Sequence, residues 1–148
     1  GHVYVARVAM GADPQQTLKA FREAEAYDGP SLIIAYSHCI SHGIDMQKGL
    51  EQQYKAVASG HWPLMRFNPV LRNQDKNPFL LDSPRPRISL KDYRMSELRF
   101  KMLTQSDPEE AQRLADLSQE QVLRRYKEYE MMAGRPAELF NPDARKES

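Results

Sequence analysis

The stretch AYSHCISHG, residues 35–43, holds the only cysteine of the chain, Cys39, between His38 and His42 and just after the apolar run SLIIAY. Three chemistries suit these residue types. A free thiol is often an inert buried group. Beside an imidazole it could be a nucleophile with His38 or His42 as base, but that role also needs an orienting third group and an oxyanion hole, which nothing in the stretch marks. As a thiolate it could bind a metal. His-Cys-x-x-His offers zinc three donors, yet His38 and Cys39 are adjacent on a backbone that reads as extended, so their side chains point to opposite sides. An iron–sulfur cluster held by four thiolates could use Cys39 only if three further cysteines came from elsewhere. From residue types alone these alternatives stay open, with the structural thiol the simplest.

Other signatures of chemistry are missing. The sequence has no GxGxxG or GxxxxGKS phosphate loop, no HExxH, no CxxC and no GxSxG. One glycine-bearing turn, MGADP, places a helix start after a strand, where backbone N–H groups could hold an anion. An ordinary strand-to-helix turn explains it more simply. Tyr126, Tyr129, Met131 and Met132 could form a face that seeks a partner, or they could pack against the preceding helices, the simpler account.

Composition narrows the classes. At 148 residues the chain has the size of one domain. Its 21 Lys and Arg against 20 Asp and Glu leave a formal charge of +1, too little to attract nucleic acid or an anionic membrane broadly. One cysteine excludes an internal disulfide framework, and no apolar run approaches the roughly 18 residues of a membrane span. A soluble, reducing, cytoplasmic setting is the expectation. The opening GHVYVARVAM has no basic lead-in followed by a long apolar segment, so no signal peptide is expected. Gly1-His2 reads as a cloning remnant, in which case the chain proper starts at Val3 and is a piece of something longer.

The elements that must position Cys39 follow from patterning. HVYVARVAM reads as a strand, and Asp13 as N-cap with Pro14 at the first helical position starts a helix that Gly29-Pro30 ends. Leu18, Phe21 and Ala24 mark its apolar face. SLIIAY is a second strand, and its nearly continuous apolar character predicts cover on both faces, as in a parallel sheet. Two strands do not make a sheet, so the remainder is expected from residues outside the chain or from a second copy. Asp45 caps a predicted helix over MQKGLEQQYKAVAS, with Met46, Leu50, Tyr54 and Val57 as its apolar stripe and Gly60 at its end. WPLMRFNP and NPFLLDSP read as the arms of a long hairpin. Three helices follow, SLKDYRMSELRFKML, SDPEEAQRLADL and SQEQVLRRYKEYEMMAG, the last two opened by capping-box spacings at Ser106/Glu109 and Ser118/Gln121. RPAELFNPDARKES reads as an extended tail.

The run VYVARVAMGADPQQTLKAFREAEAYDGPSLIIAYSHCISHGIDM, with GHWPLMRFNP and KNPFLLDSP, closely resembles the C-terminal region of pyruvate:ferredoxin (flavodoxin) oxidoreductases, over residues 3 to about 133. The resemblance implies a much longer homodimeric enzyme that uses thiamine diphosphate, magnesium and [4Fe–4S] clusters to convert pyruvate and CoA to acetyl-CoA and CO2, passing electrons to ferredoxin or flavodoxin. It implies an α/β fold: residues 3–83 would be the end of the thiamine-diphosphate-binding parallel-sheet domain with the hairpin, and residues 84–148 a helical extension and tail. The family's GDG segment and downstream asparagine, which bind the diphosphate and magnesium, have no counterpart here. No catalytic or thiamine-binding residue is therefore carried over. One residue is: the cysteine of AYSHCI matches the distant fourth ligand of the cluster nearest the thiamine, so the resemblance makes Cys39 a metal ligand. His38 and His42 receive no role. Alone, the chain is expected to be inactive and without cofactors. The alternative is a non-catalytic scaffold that joins subunits.

Overall fold

The computed structural model describes residues 2–140. β1 (Tyr4–Val8), α1 (Pro14–Ala26) and β2 (Ser31–Ala35) form the expected β-α-β unit, with β1 and β2 parallel from Tyr4 opposite Ser31 to Val8 opposite Ala35. Asp13 caps α1 by accepting a hydrogen bond from the Gln16 N–H, and Pro14 occupies the first turn.

The sheet departs from expectation. It is completed within the chain, in the order β2-β1-β3-β4, by β3 (Met65–Phe67) and β4 (Phe79–Leu81). β3 runs antiparallel to β1, and β4 antiparallel to β3, so the sheet is mixed rather than parallel. Each added strand has only three residues, and a 3-10 helix over Pro69–Gln74 lies between them. Asn-Pro at 68–69 and 77–78 explains why the pairing is short, since each proline lacks the N–H that a ladder needs.

One residue fastens β3 to its surroundings. The buried Arg66 side chain donates to Asp82 through Nε and Nη2, each at 2.8 Å, and to Glu23 of α1 at 2.6 Å. Tyr4 donates to the other Glu23 oxygen and Gln16 to Asp82, so a closed polar network ties α1 to the hairpin arms.

α2 (Gly49–Ala58) starts later than predicted, after a 3-10 turn, Met46–Lys48, which takes the Asp45 cap. The helical half is divided differently from expectation. SLKDYRMSELRFKML is two helices, α3 (Leu90–Arg94) and α4 (Leu98–Ser106), and the following two predicted helices are one, α5 (Pro108–Ala133), of 26 residues. Asp107, not Ser106, caps α5, and Ser118 lies inside it, its hydroxyl bonded to the Leu114 carbonyl. Tyr126 and Tyr129 pack within the chain, Tyr126 donating to the Ser83 carbonyl and Tyr129 lying 6.0 Å from the Phe79 ring. The Asn77 amide group, at the start of the β4 arm, donates to the carbonyls of Met132, Ala133 and Arg135 at 2.9–3.1 Å and so caps the end of α5. Ala137–Phe140 form a further 3-10 turn, and the rest of the predicted tail, residues 141–148, lies outside the described residues.

The core lies in three adjoining clusters: Tyr4, Ala6, Val8 and Ala20 beneath α1; Ala9, Val57 and Leu64; and Ala56, Leu90, Tyr93 and Val122. Tyr36 and Trp62 touch both of the last two. Several predicted apolar faces are not in this core. Leu18 and Phe21 of α1, Leu32 and Ile34 of β2, and Met46, Leu50 and Tyr54 of the α2 region are all exposed. α2 turns Val57 of the predicted stripe inward, but together with Gln52, Gln53 and Ala56. β2 is an edge strand, covered on one face only, where Ile33 meets the first cluster.

Candidate functional site

The segment carrying Cys39 leaves the C-terminal edge of the parallel β1–β2 pair, where α/β sheets place their ligands. Tyr36 continues the ladder by one bond, its N–H donating to the Val8 carbonyl at 2.9 Å. Its hydroxyl meets that of Tyr93 at 2.8 Å, and its ring lies edge-on to Trp62. Burial pushes the Tyr36 phenol up from its ordinary value, so the pair stays neutral. His38 Nδ1 lies 3.2 Å from the Gln53 amide of α2. Its ring sits on Gly49, where an added Cβ would overlap the imidazole, so a side chain at the first residue of α2 would displace the ring.

Cys39 has extended dihedrals, φ −135° and ψ 134°, and opens the 3-10 turn Ile40–His42. Its carbonyl accepts from the His42 N–H at 3.0 Å, and Gly43 closes the turn with φ 69°, a left-handed conformation that favours glycine. The Gly43 carbonyl accepts from the Leu98 N–H at 3.2 Å, and Arg99 Nη1 lies 3.4 Å from His42 Nε2. Both flanks of the cysteine are therefore moored, one to α2 and α3, the other to the start of α4. Between them, Cys39 is partly exposed and Ile40 is 70% exposed. The thiol is held below its usual range by the Ser41 hydroxyl first and then the Ser41 backbone N–H; burial opposes them, and the His42 N–H and the charge of Arg99 add the least.

His38, Cys39 and His42 do not converge. No group of three or more His, Cys, Asp or Glu side chains that could hold a metal occurs among the described residues. His38 is engaged by Gln53 through Nδ1, and His42 by Arg99 through Nε2. The MGADP turn is the ordinary one: the Gly11 N–H donates to Gln53 Oε1, those of Ala12 and Asp13 to the Ala9 carbonyl, and that of Gln16 to Asp13. These four donors are spent inside the fold. Gln53 and Arg99 were not singled out by sequence reasoning, because they reach the cysteine segment only through tertiary packing.

No family model matches the chain. It is 54% identical over 135 residues, 91% of its length, to the pyruvate-flavodoxin oxidoreductase of Nostoc sp.. It is 47% identical over 133 residues to the pyruvate:ferredoxin oxidoreductase of Moorella thermoacetica and 43% identical over 136 residues to the pyruvate-flavodoxin oxidoreductase of Klebsiella pneumoniae, each over 90% of its length. The chain is a homologue of one segment of these oxidoreductases. It spans 11% of the Nostoc and Moorella enzymes and 12% of the Klebsiella enzyme. The match to the oxidoreductases thus takes in nearly all of this chain and a small part of each relative. No helix among the described residues is long and apolar enough to cross a membrane.

Proposed function

We propose that the chain serves as the part of a pyruvate-oxidising, ferredoxin- or flavodoxin-reducing enzyme that contributes Cys39 as one ligand of a [4Fe–4S] cluster. The observation that carries this reading is the presentation of the sulfur: partly exposed at the C-terminal edge of the sheet, between moored flanks, among donors that favour its thiolate form. The fit is to one corner of a cluster. A single, partly exposed cysteine suits a cluster completed by three cysteines of a longer chain, and a four-thiolate site cannot be built from this sequence by itself. Thiamine diphosphate and magnesium do not fit the residues present: the Gly11, Ala12, Asp13 and Gln16 N–H groups of the strand-to-helix turn are bonded internally, and no carboxylate cluster for a metal occurs among the described residues.

When bound, the cluster supplies one-electron transfer, and the overall reaction takes pyruvate and CoA to acetyl-CoA, CO2, a proton and two electrons for ferredoxin or flavodoxin. The residues of this chain hold the exit route in place. Tyr36, Trp62 and Tyr93 fix the end of β2, Gln53 and Gly49 seat His38, and Gly43 with Leu98 closes the turn behind the sulfur. In this reading residues 3–83 end a thiamine-binding unit, residues 84–148 extend it with helices, the parent is a cytoplasmic homodimer, and the isolated chain is inactive. The exposed Leu18, Phe21, Leu32, Ile34, Leu50 and Tyr54 also favour a scaffolding role, in which these faces are covered by the rest of the parent or by its second subunit.

The test is Cys39→Ala in the full-length oxidoreductase bearing this segment. Iron content should fall and the low-temperature EPR signal of one cluster should vanish or change to that of a three-iron form, with electron delivery to the acceptor sharply reduced. An unchanged cluster count and rate would make Cys39 a structural thiol and leave the scaffolding role.

A further inference from the structure

Glu97 lies at the N-terminus of α4 and is 1% exposed. A buried carboxylate needs partners for both oxygens, and here both are used: Gln52 Nε2 of α2 donates to Oε1 at 2.7 Å and Arg99 Nε to Oε2 at 2.5 Å. Binding through Nε fixes the plane of the guanidinium and leaves Nη1 to reach His42. Phe100 supports the same group, with the Arg99 guanidinium carbon 4.6 Å from its ring centre. The intervening Leu98 bonds to Gly43 through its N–H. Residues 97–99 thus grip residues 42–43 as a unit, from 57 positions away in sequence.

We propose that Arg99, oriented by the buried Glu97, is a positioning residue for Cys39: it fixes the turn that presents the sulfur, and its guanidinium, held at His42 three residues along the chain, favours the reduced state of a cluster bound there. The proposal rests on the reading of Cys39 as a ligand. Reduction adds negative charge to a cluster, and Arg99 offsets both that charge and the negative charge of the buried Glu97, so removing its cation leaves an unpaired anion nearby and lowers the reduction potential. Lysine would keep the charge but could not engage Glu97 and His42 together as the planar fork does. Charge and grip can therefore be separated by substitution.

Three variants test this: Arg99→Gln, Arg99→Lys, and Arg113→Gln, a control whose guanidinium pairs with Glu110 on the exposed face of α5. In this chain, amide hydrogen exchange at His42 and Gly43 should quicken roughly tenfold in Arg99→Gln, the equivalent of one lost charge-assisted hydrogen bond, and by less in Arg99→Lys. In the full-length oxidoreductase, Arg99→Gln should move the midpoint potential of one cluster to a more negative value, while Arg99→Lys stays near wild type and Arg113→Gln changes neither readout. If Arg99→Gln loses the cluster, retention of iron by Arg99→Lys supports the proposal. Unchanged exchange and potential in Arg99→Gln overturn it, as does a potential shift or cluster loss in Arg99→Lys equal to that in Arg99→Gln. Cys39→Ala, run beside them, keeps the two ideas apart: a cluster that survives it removes the ligand reading, whereas a cluster that disappears with it but is indifferent to Arg99 removes only this inference.

Discussion

Acid should destabilise this protein through His61. Its ring stacks on Tyr93, with centres 4.6 Å apart, behind the end of β2. Burial first, then the charge of Arg125, whose Nη2 donates to the His61 carbonyl at 2.8 Å, lowers the imidazole from 6.5 to about 4. The unfolded chain binds a proton near pH 6.5 and the folded chain only near pH 4, so between those values the unfolded state carries more protons and stability falls as pH falls. Above 6.5 both states are neutral and the contribution is fully present; below 4 both are charged and it is lost. At 1.36 kcal/mol per pH unit the window is worth about 3 kcal/mol, or roughly 2 after allowance for partial exposure of the ring. That is a large share of a stability that is typically about 5–15 kcal/mol. The assay is urea unfolding of wild type and His61→Asn at several pH values from 7.5 to 4. The variant carries a constant packing loss, so the quantity to follow is the difference between the two proteins. It should shrink by about 2–3 kcal/mol on going down through the window. Parallel curves would show that His61 is accessible to protons in the folded state and would refute the reasoning.

Arg66→Ala should cost about 3–5 kcal/mol, because it leaves Glu23 and Asp82 facing each other without their shared cation; calorimetry of the purified chain should show a lower melting temperature, and a loss under about 1 kcal/mol would mean that water already screens the network. Gly43→Ala should cost at least about 1–2 kcal/mol from its left-handed backbone alone, with a further loss because the new Cβ overlaps Leu98; thermal unfolding at wild-type temperature would show that the turn reshapes freely.

The β-α-β unit was legible because its signals are local. Asp13 and Pro14 start α1 where short-range chemistry says they should, and an apolar run of strand length follows the turn at Gly29-Pro30. The sheet order was not legible, since β3 and β4 have three residues each and owe their pairing to Arg66 and its distant partners as much as to their own pattern. Ser118 misled because its spacing to Gln121 matches a cap, yet inside a continuous helix a serine can bond back to the turn before it. The faces of α1 and α2 were assigned correctly at Ala24 and Val57 but not at Leu18, Phe21, Met46, Leu50 and Tyr54, for a different reason. Apolar periodicity finds a face that avoids water, but it does not say whether this chain or another part of a longer assembly does the covering. Cys39 itself was visible as a lone thiol after a strand. Its supports, Gln53, Glu97 and Arg99, have no local signature, because a residue that braces a loop from another element is selected by geometry that sequence spacing does not encode.

The Asn77 side chain joins two ends that are far apart in sequence. Its oxygen accepts from the Phe79 N–H at 2.8 Å while its nitrogen caps α5. A pull on the chain beyond α5 would therefore reach the sheet at its β4 edge, first through the Asn77 carboxamide and then through Tyr129 on Phe79 and Tyr126 on Ser83. The last turn of α5 and the outermost strand would come away together, as one latch.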